Sequence, residues 1–130
     1  TSIKDGAFAK CGKLASIINT NSVTSIGIGA FSECSSLTGI EIPDSVTTLG
    51  AGVFAGCSAL KSATLGSGVT SIGYWSFYKC GELTTVYFKG DAPKLPEGDV
   101  FFDPSVIHYK PGTTGWTNPW SGRPTKEWVE

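Results

Sequence analysis

Four cysteines, a single histidine and a scatter of acidic residues are the side chains in this 130-residue sequence whose types could carry chemistry. Cys11, Cys34, Cys57 and Cys80 recur at one fixed interval, each 23 positions after the last. Zinc sites draw on short local pairs such as Cys-x-x-Cys, which are absent here, and equal spacing sets the thiols in a row instead of around a tetrahedron. Stacked neighbours would come within disulfide reach, but side chains pointing the same way into a core give poor disulfide geometry. The cysteines therefore read as a buried row of small apolar thiols. His108 would have to anchor any catalytic triad, and the strand residues around it supply no nucleophile with a base and an orienting acid. Asp91, Glu97, Asp99 and Asp103 have carboxylates of the kind that hold Ca²⁺ or pair in a glycosidase. Neither an EF-hand pattern nor a defined carboxylate separation can be read from their spacing, so they read as solvated loop charges. No catalytic residue, metal or cofactor is assigned.

The elements that must position these groups repeat with the same period. Phe8, Phe31, Phe54 and Phe77 share it, as do Leu14, Leu37, Leu60 and Leu83. A period of this length is the signature of a solenoid, whose coils bury their apolar faces only against one another. In residues 23–45, VTSIGIGAFSECSSLTGIEIPDS, the apolar positions are neither helical nor strictly alternating. Leu37, Ile40 and Ile42 end on the period-two pattern of a short strand, closed by Pro43, Asp44 and Ser45. Ala30 to Cys34 is too short for an independent helix and reads as one helical or 3₁₀ turn aiming Phe31 and Cys34 inward. Gly27, Gly50 and Gly73 sit at a bend where a residue without Cβ can take positive φ. The expected fold is a solenoid, mainly parallel β with short helical or 3₁₀ turns, in 23-residue coils.

Composition narrows the function classes. The chain has room for one domain. A formal net charge of −1 with 16% charged residues removes the basic footprint that nucleic acid demands. No apolar run approaches a membrane span, and no charged-then-apolar leader opens the chain. Thr1, Ser2 and Ile3 fall in phase with Thr24, Ser25 and Ile26, so the chain starts mid-repeat without Met, as a piece of a longer protein does. An uncapped first coil should fray or self-associate.

The recurring unit Val-Thr-Ser-Ile-Gly, Ala-Phe, Cys-Ser-Ser-Leu-Thr, Ile, Ile-Pro resembles the BspA-like leucine-rich repeat, across residues 1–91. The later runs at residues 109–116 and 122–125 are similar to the tail that closes many bacterial proteins of this type. The resemblance implies a bacterial cell-surface or secreted setting and a role in adhesion or host-protein binding, with no shared catalytic residues to carry over. Four repeats, the first incomplete, are expected over 1–91, and a degenerate terminal coil with a tryptophan-rich cap over 92–130.

The register defines the candidate surface. One exposed row runs through Ile18, Glu41, Thr64, Tyr87 and His108, and a second through Ser16, Gly39, Ser62, Thr85 and Val106. The concave sheet of leucine-rich repeats is where partners often bind, so Glu41, Thr64, Thr85, Tyr87 and His108 form the expected partner-binding face for a protein or glycan. From Ala92 to Asp103 the period lapses; Val106 to Tyr109 reads as a terminal strand. Trp116, Trp120 and Trp128 are expected to cover the exposed end, or alternatively to form a platform for sugar or peptide. Tyr74 and Trp75 replace Asp5-Gly6, Ile28-Gly29 and Ala51-Gly52, a change read as packing beneath the cap; if exposed, they make a second contact site. A structural spacer within a repeat stalk is the competing function, and an enzyme the least favoured one.

Overall fold

The computed structural model describes residues 2–14, 22–96, 99–101 and 105–128. Nine parallel-paired strands occur among them, wound as about four coils into two sheets. The first sheet joins β1 (Ser2–Ile3), β2 (Ser25–Ile26), β4 (Thr48–Leu49) and β6 (Ser71–Ile72) in that order; the second joins β3 (Gly39–Ile42), β5 (Ser62–Leu65), β7 (Thr85–Phe88), β8 (Val106–Tyr109) and β9 (Thr125–Glu127). Register follows the repeat, with Ile40 opposite Ala63 and Ala63 opposite Val86.

The interior is a set of ladders. Phe8, Phe31, Phe54 and Phe77 stack ring on ring at 5.2, 5.7 and 5.6 Å. Leu37, Leu60 and Leu83 are buried beside them. Each of three buried cysteines donates its thiol to a phenylalanine carbonyl one coil back: Cys34 to Phe8, Cys57 to Phe31 and Cys80 to Phe54, all at 3.2 Å. Burial pushes the Cys57 thiol up to about 12 and raises that of Cys34 as well. All four cysteines are free, and Cys11, in the first coil, is only half-buried.

The segments that join the two sheets form turns in place of the single helical or 3₁₀ turn expected there. Among the described residues there is no helix. The N–H groups of Gly29, Phe31 and Glu33 donate to Ala51, Val53 and Ala55 in the next coil, while those of Ala30 and Ser32 turn back to Gly27 and Gly29. Left-handed residues, Gly29 at φ 60° and Glu33 at φ 57°, break the helical sense and aim every second amide at the neighbour. The bend glycines also work differently from expectation. Gly27, Gly50 and Gly73 are not at positive φ; a Cβ on Gly73 would overlap the backbone of Gly50 and Ala51, so these positions require glycine for close coil-to-coil approach. Aspartates clasp successive coils, Asp5 accepting from Ile28 N–H, Asp44 from Ser67 and Asp91 from Thr114, each at 2.8 Å.

Past residue 92 the path persists although the spacing does not. Lys94 bridges Ser71, and Phe101 bridges Phe77 and stacks on it at 5.2 Å, so the phenylalanine ladder gains a fifth ring that the sequence pattern did not show. Asp99 C=O accepts from Trp75 N–H and Val100 C=O from Phe77 N–H; the intervening position present in earlier coils is missing. Phe101 nevertheless stands 24 positions after Phe77 in place of 23, and that shift is what hid the register. Trp120 is buried against Phe88, Phe101 and Trp116, and Trp116 stacks on Tyr109. These two close the end of the core. Trp128 does not join them.

Candidate functional site

Alternation along β3, β5 and β7 buries Ile40, Ala63 and Val86 and turns their neighbours outward. Glu41, Thr64, Tyr87 and His108 consequently form one continuous row across four strands, and Lys126 of β9 extends it. Gly39, Ser62, Thr85 and Val106 form the second row. All five residues expected on the face are therefore brought together on one sheet; Ile18 and Ser16 lie outside the described residues.

The face has two chemically distinct ends. At the β3 end Glu41 pairs with Lys89 at 3.2 Å, a contact that reaches across the β5 coil. At the other end Tyr87 stacks on His108, centroids 4.9 Å apart at 28°, and Trp128 tilts over Tyr87 at 5.0 Å. The result is a half-buried aromatic triplet beside a cation. Burial and, second to it, the ammonium of Lys126 hold the His108 imidazole below its ordinary range, so the ring is neutral near pH 7. Neutral, it offers one donor and one acceptor nitrogen to a partner.

Lys126 and Trp128 escape a reading based on the repeat. Thr125 pairs with Ile107 at an offset of 18 positions, so no 23-residue echo marks β9. Trp128 was expected on the end of the core and instead stands over the sheet face, because β9 continues the sheet and carries the residue after it past Tyr109, whose C=O accepts the Trp128 N–H at 2.7 Å.

Tyr74 and Trp75 also depart from expectation. They are not packed beneath the cap; they are 51% and 49% exposed on the segment between β6 and β7. Trp75 takes φ 59°, the conformation of Gly6, Gly29 and Gly52 in the preceding coils, which turns its side chain away from the core. Of the acidic residues, Asp91 holds Thr114 and Asp99 lends its carbonyl to Trp75, while Glu97 and Asp103 lie outside the described residues. Among the described residues no group of three or more His, Cys, Asp or Glu is placed to hold a metal ion. No helix there is long and apolar enough to cross a membrane.

The family pattern for the BspA type leucine rich repeat region matches residues 1–103, in six copies. The chain belongs to the BspA-type leucine-rich repeat family. A solved structure of a leucine rich cell surface protein from Faecalibacterium prausnitzii is similar to this BspA-type chain at 41% identity, with a TM-score of 0.63, over 66% of this chain and 23% of that one. The chain thus spans under a quarter of that protein's length. A leucine-rich repeat protein from Bacteroides ovatus aligns at 21% identity over 83% of this chain and 46% of that one, with a TM-score of 0.36, too low to carry an argument. Comparison with curated proteins gave no match.

Proposed function

We propose that this BspA-type segment is a non-enzymatic binding module of a bacterial cell-surface or secreted protein. Its partner, a protein or a glycan, is held on the face of Glu41, Thr64, Thr85, Tyr87 and His108. The observation that carries the reading is the in-register row ending in the Tyr87, His108 and Trp128 triplet, since Trp and Tyr are enriched among the residues that dominate interface hot spots. The cell-surface description of the Faecalibacterium relative supports the setting. No nucleic acid partner is proposed. One small face binds weakly by itself and gains strength through many copies. The test is binding of the intact chain to immobilised extracellular-matrix proteins and to a glycan array, repeated with the double variant Tyr87→Ala, His108→Ala. Loss of a specific signal supports the face; an unchanged signal refutes it.

A spacer role is favoured by a different observation. Phe8 is 43% exposed and Ile3, Cys11 and Leu14 are only partly buried, an apolar coil face of the kind that stacks on a further coil, whether of the same protein or of a second copy. Concentration-dependent sedimentation that Phe8→Ser abolishes would support that reading, and monomeric behaviour at every concentration would oppose it.

A further inference from the structure

Along the exposed row of the second sheet, the polar groups are satisfied at one end and unsatisfied at the other. Glu41 and Lys89 answer each other at 3.2 Å. Tyr87, His108 and Lys126 stand in register on three successive strands, about 4.8 Å apart. Among the described residues, the Tyr87 hydroxyl, the imidazole nitrogens and the Lys126 ammonium have no hydrogen-bond or ion-pair partner. No carboxylate offsets the ammonium there. Glu127 alternates to the opposite side of β9, across from Tyr109, and Glu41 lies two strands from Tyr87 and is already paired. Lys110 continues β8 by donating its N–H to Phe88, and alternation puts it on the side of His108 as a second cation.

Ring attitude adds to the positive character. Tyr87 and His108 stack across neighbouring strands at 4.9 Å, the strand spacing itself, so both rings stand upright and show a partner their edges. Ring edges carry the positive part of the aromatic quadrupole. Hydroxyl, imidazole N–H and ammonium are thus donors set side by side, matched by an acceptor that brings its own negative charge. Size and attitude select its source. Five strands, four of them four residues long, span about 24 Å by 13 Å, roughly 300 Å². A stable folded partner covers about 800 Å², whereas 24 Å takes about seven residues of extended chain. A sugar ring is held by stacking on an aromatic face, which the upright Tyr87 and His108 rings do not offer. We propose that Tyr87, His108 and Lys126 form a carboxylate-binding site, filled by a Glu or Asp side chain of an extended acidic peptide segment. The inference rests on the sheet face being the binding surface and names the chemistry of its partner.

The test is fluorescence anisotropy of a labelled octaglutamate peptide titrated with the intact chain at low ionic strength, alongside octaglutamine and an oligogalacturonate. Wild type should bind octaglutamate and leave octaglutamine free, and the imidazole NMR signal of His108, the sole histidine, should move with the titration. Tyr87→Phe, which keeps the ring and removes the hydroxyl, should weaken binding about tenfold. Lys126→Gln should weaken it about fivefold, and Lys10→Gln in the first coil not at all. The proposal is overturned if octaglutamate is not bound, if octaglutamine binds as well, or if Tyr87→Phe and Lys126→Gln bind as wild type does. Equal weakening by Lys10→Gln, the mark of diffuse attraction, would overturn it too. Oligogalacturonate bound with octaglutamate left free would overturn it in favour of an acidic glycan. The sheet face itself stands or falls separately, by the matrix-protein and glycan-array signal of the Tyr87→Ala, His108→Ala double variant.

Discussion

Phe54 and Phe101 occupy the same ladder in two coils built from different sequence. Phe54 lies fully buried between Phe31 and Phe77, inside a coil that carries every repeat residue. Phe101 has Phe77 on one side and Trp120 on the other, in a segment that has lost the cysteine, the leucine and one residue of the turn. The path is nevertheless the same, since Phe77 N–H finds Val100 C=O as Phe54 N–H finds Ser76 C=O. What is inherited from coil to coil is a pattern of amide partners. Side-chain identity then sets how much each coil contributes, and the end of the stack is free to change it.

Substitutions can break that comparison, beginning with the ladder itself. Phe54→Ala removes a ring with neighbours on both faces and should cost about 3 to 5 kcal/mol in urea denaturation. Phe101→Ala should cost less, since the cap can settle into the gap, and Phe8→Ala in the half-exposed first coil least of all. Close behind comes Gly50→Ala, whose Cβ would collide with the backbone of Gly27 and Ile28. It should cost on the order of 3 kcal/mol, against about 1 for Gly52→Ala, which meets only left-handed strain at φ 62°. Comparable losses at the two glycines would show that close approach is not the constraint at Gly50.

Thiol chemistry sharpens the contrast between coil ends and coil centres. In native protein at pH 8 a disulfide reagent should label Cys11 within minutes and leave Cys34, Cys57 and Cys80 unreacted until the chain unfolds, because burial holds the Cys57 thiol near 12. Equal labelling of all four would mean that the central coils open readily. The same burial would protect the free thiols in the oxidising cell-surface setting proposed for the chain.

The smallest effect belongs to the sheet face. His108 has its folded pKa below the unfolded value, so between the two the unfolded chain binds more protons. Stability should therefore rise with pH through the region just below 6.5 and become flat above it. Histidine NMR titration reads this ring directly, and Lys126→Ala should move its midpoint upward by removing a repelling charge; an unmoved midpoint would leave burial as the whole cause.

Much of this could be read in the chain. The row of Glu41, Thr64, Tyr87 and His108 followed from period and alternation, which fix register once coils stack. The thiol ladder followed from equal spacing. Gly27, Gly50 and Gly73 were recognisable as bend residues, but their reason was not, because close approach is a property of two coils and no single coil contains it. Phe101 was hidden by an offset of 24 in place of 23, Lys126 and Trp128 by one of 18.

Sequence alone determined the solenoid, its ladders and the composition of its exposed rows, because a repeat writes nearest-neighbour contacts directly into its period. Only the tertiary structure decided where the non-repeating residues stand: Trp120 in the core, Trp128 over Tyr87, and Trp75 outward on a glycine's backbone. Their positions depend on hydrogen bonds and ring contacts between segments that share no spacing, and such contacts exist only after the coils have closed on one another.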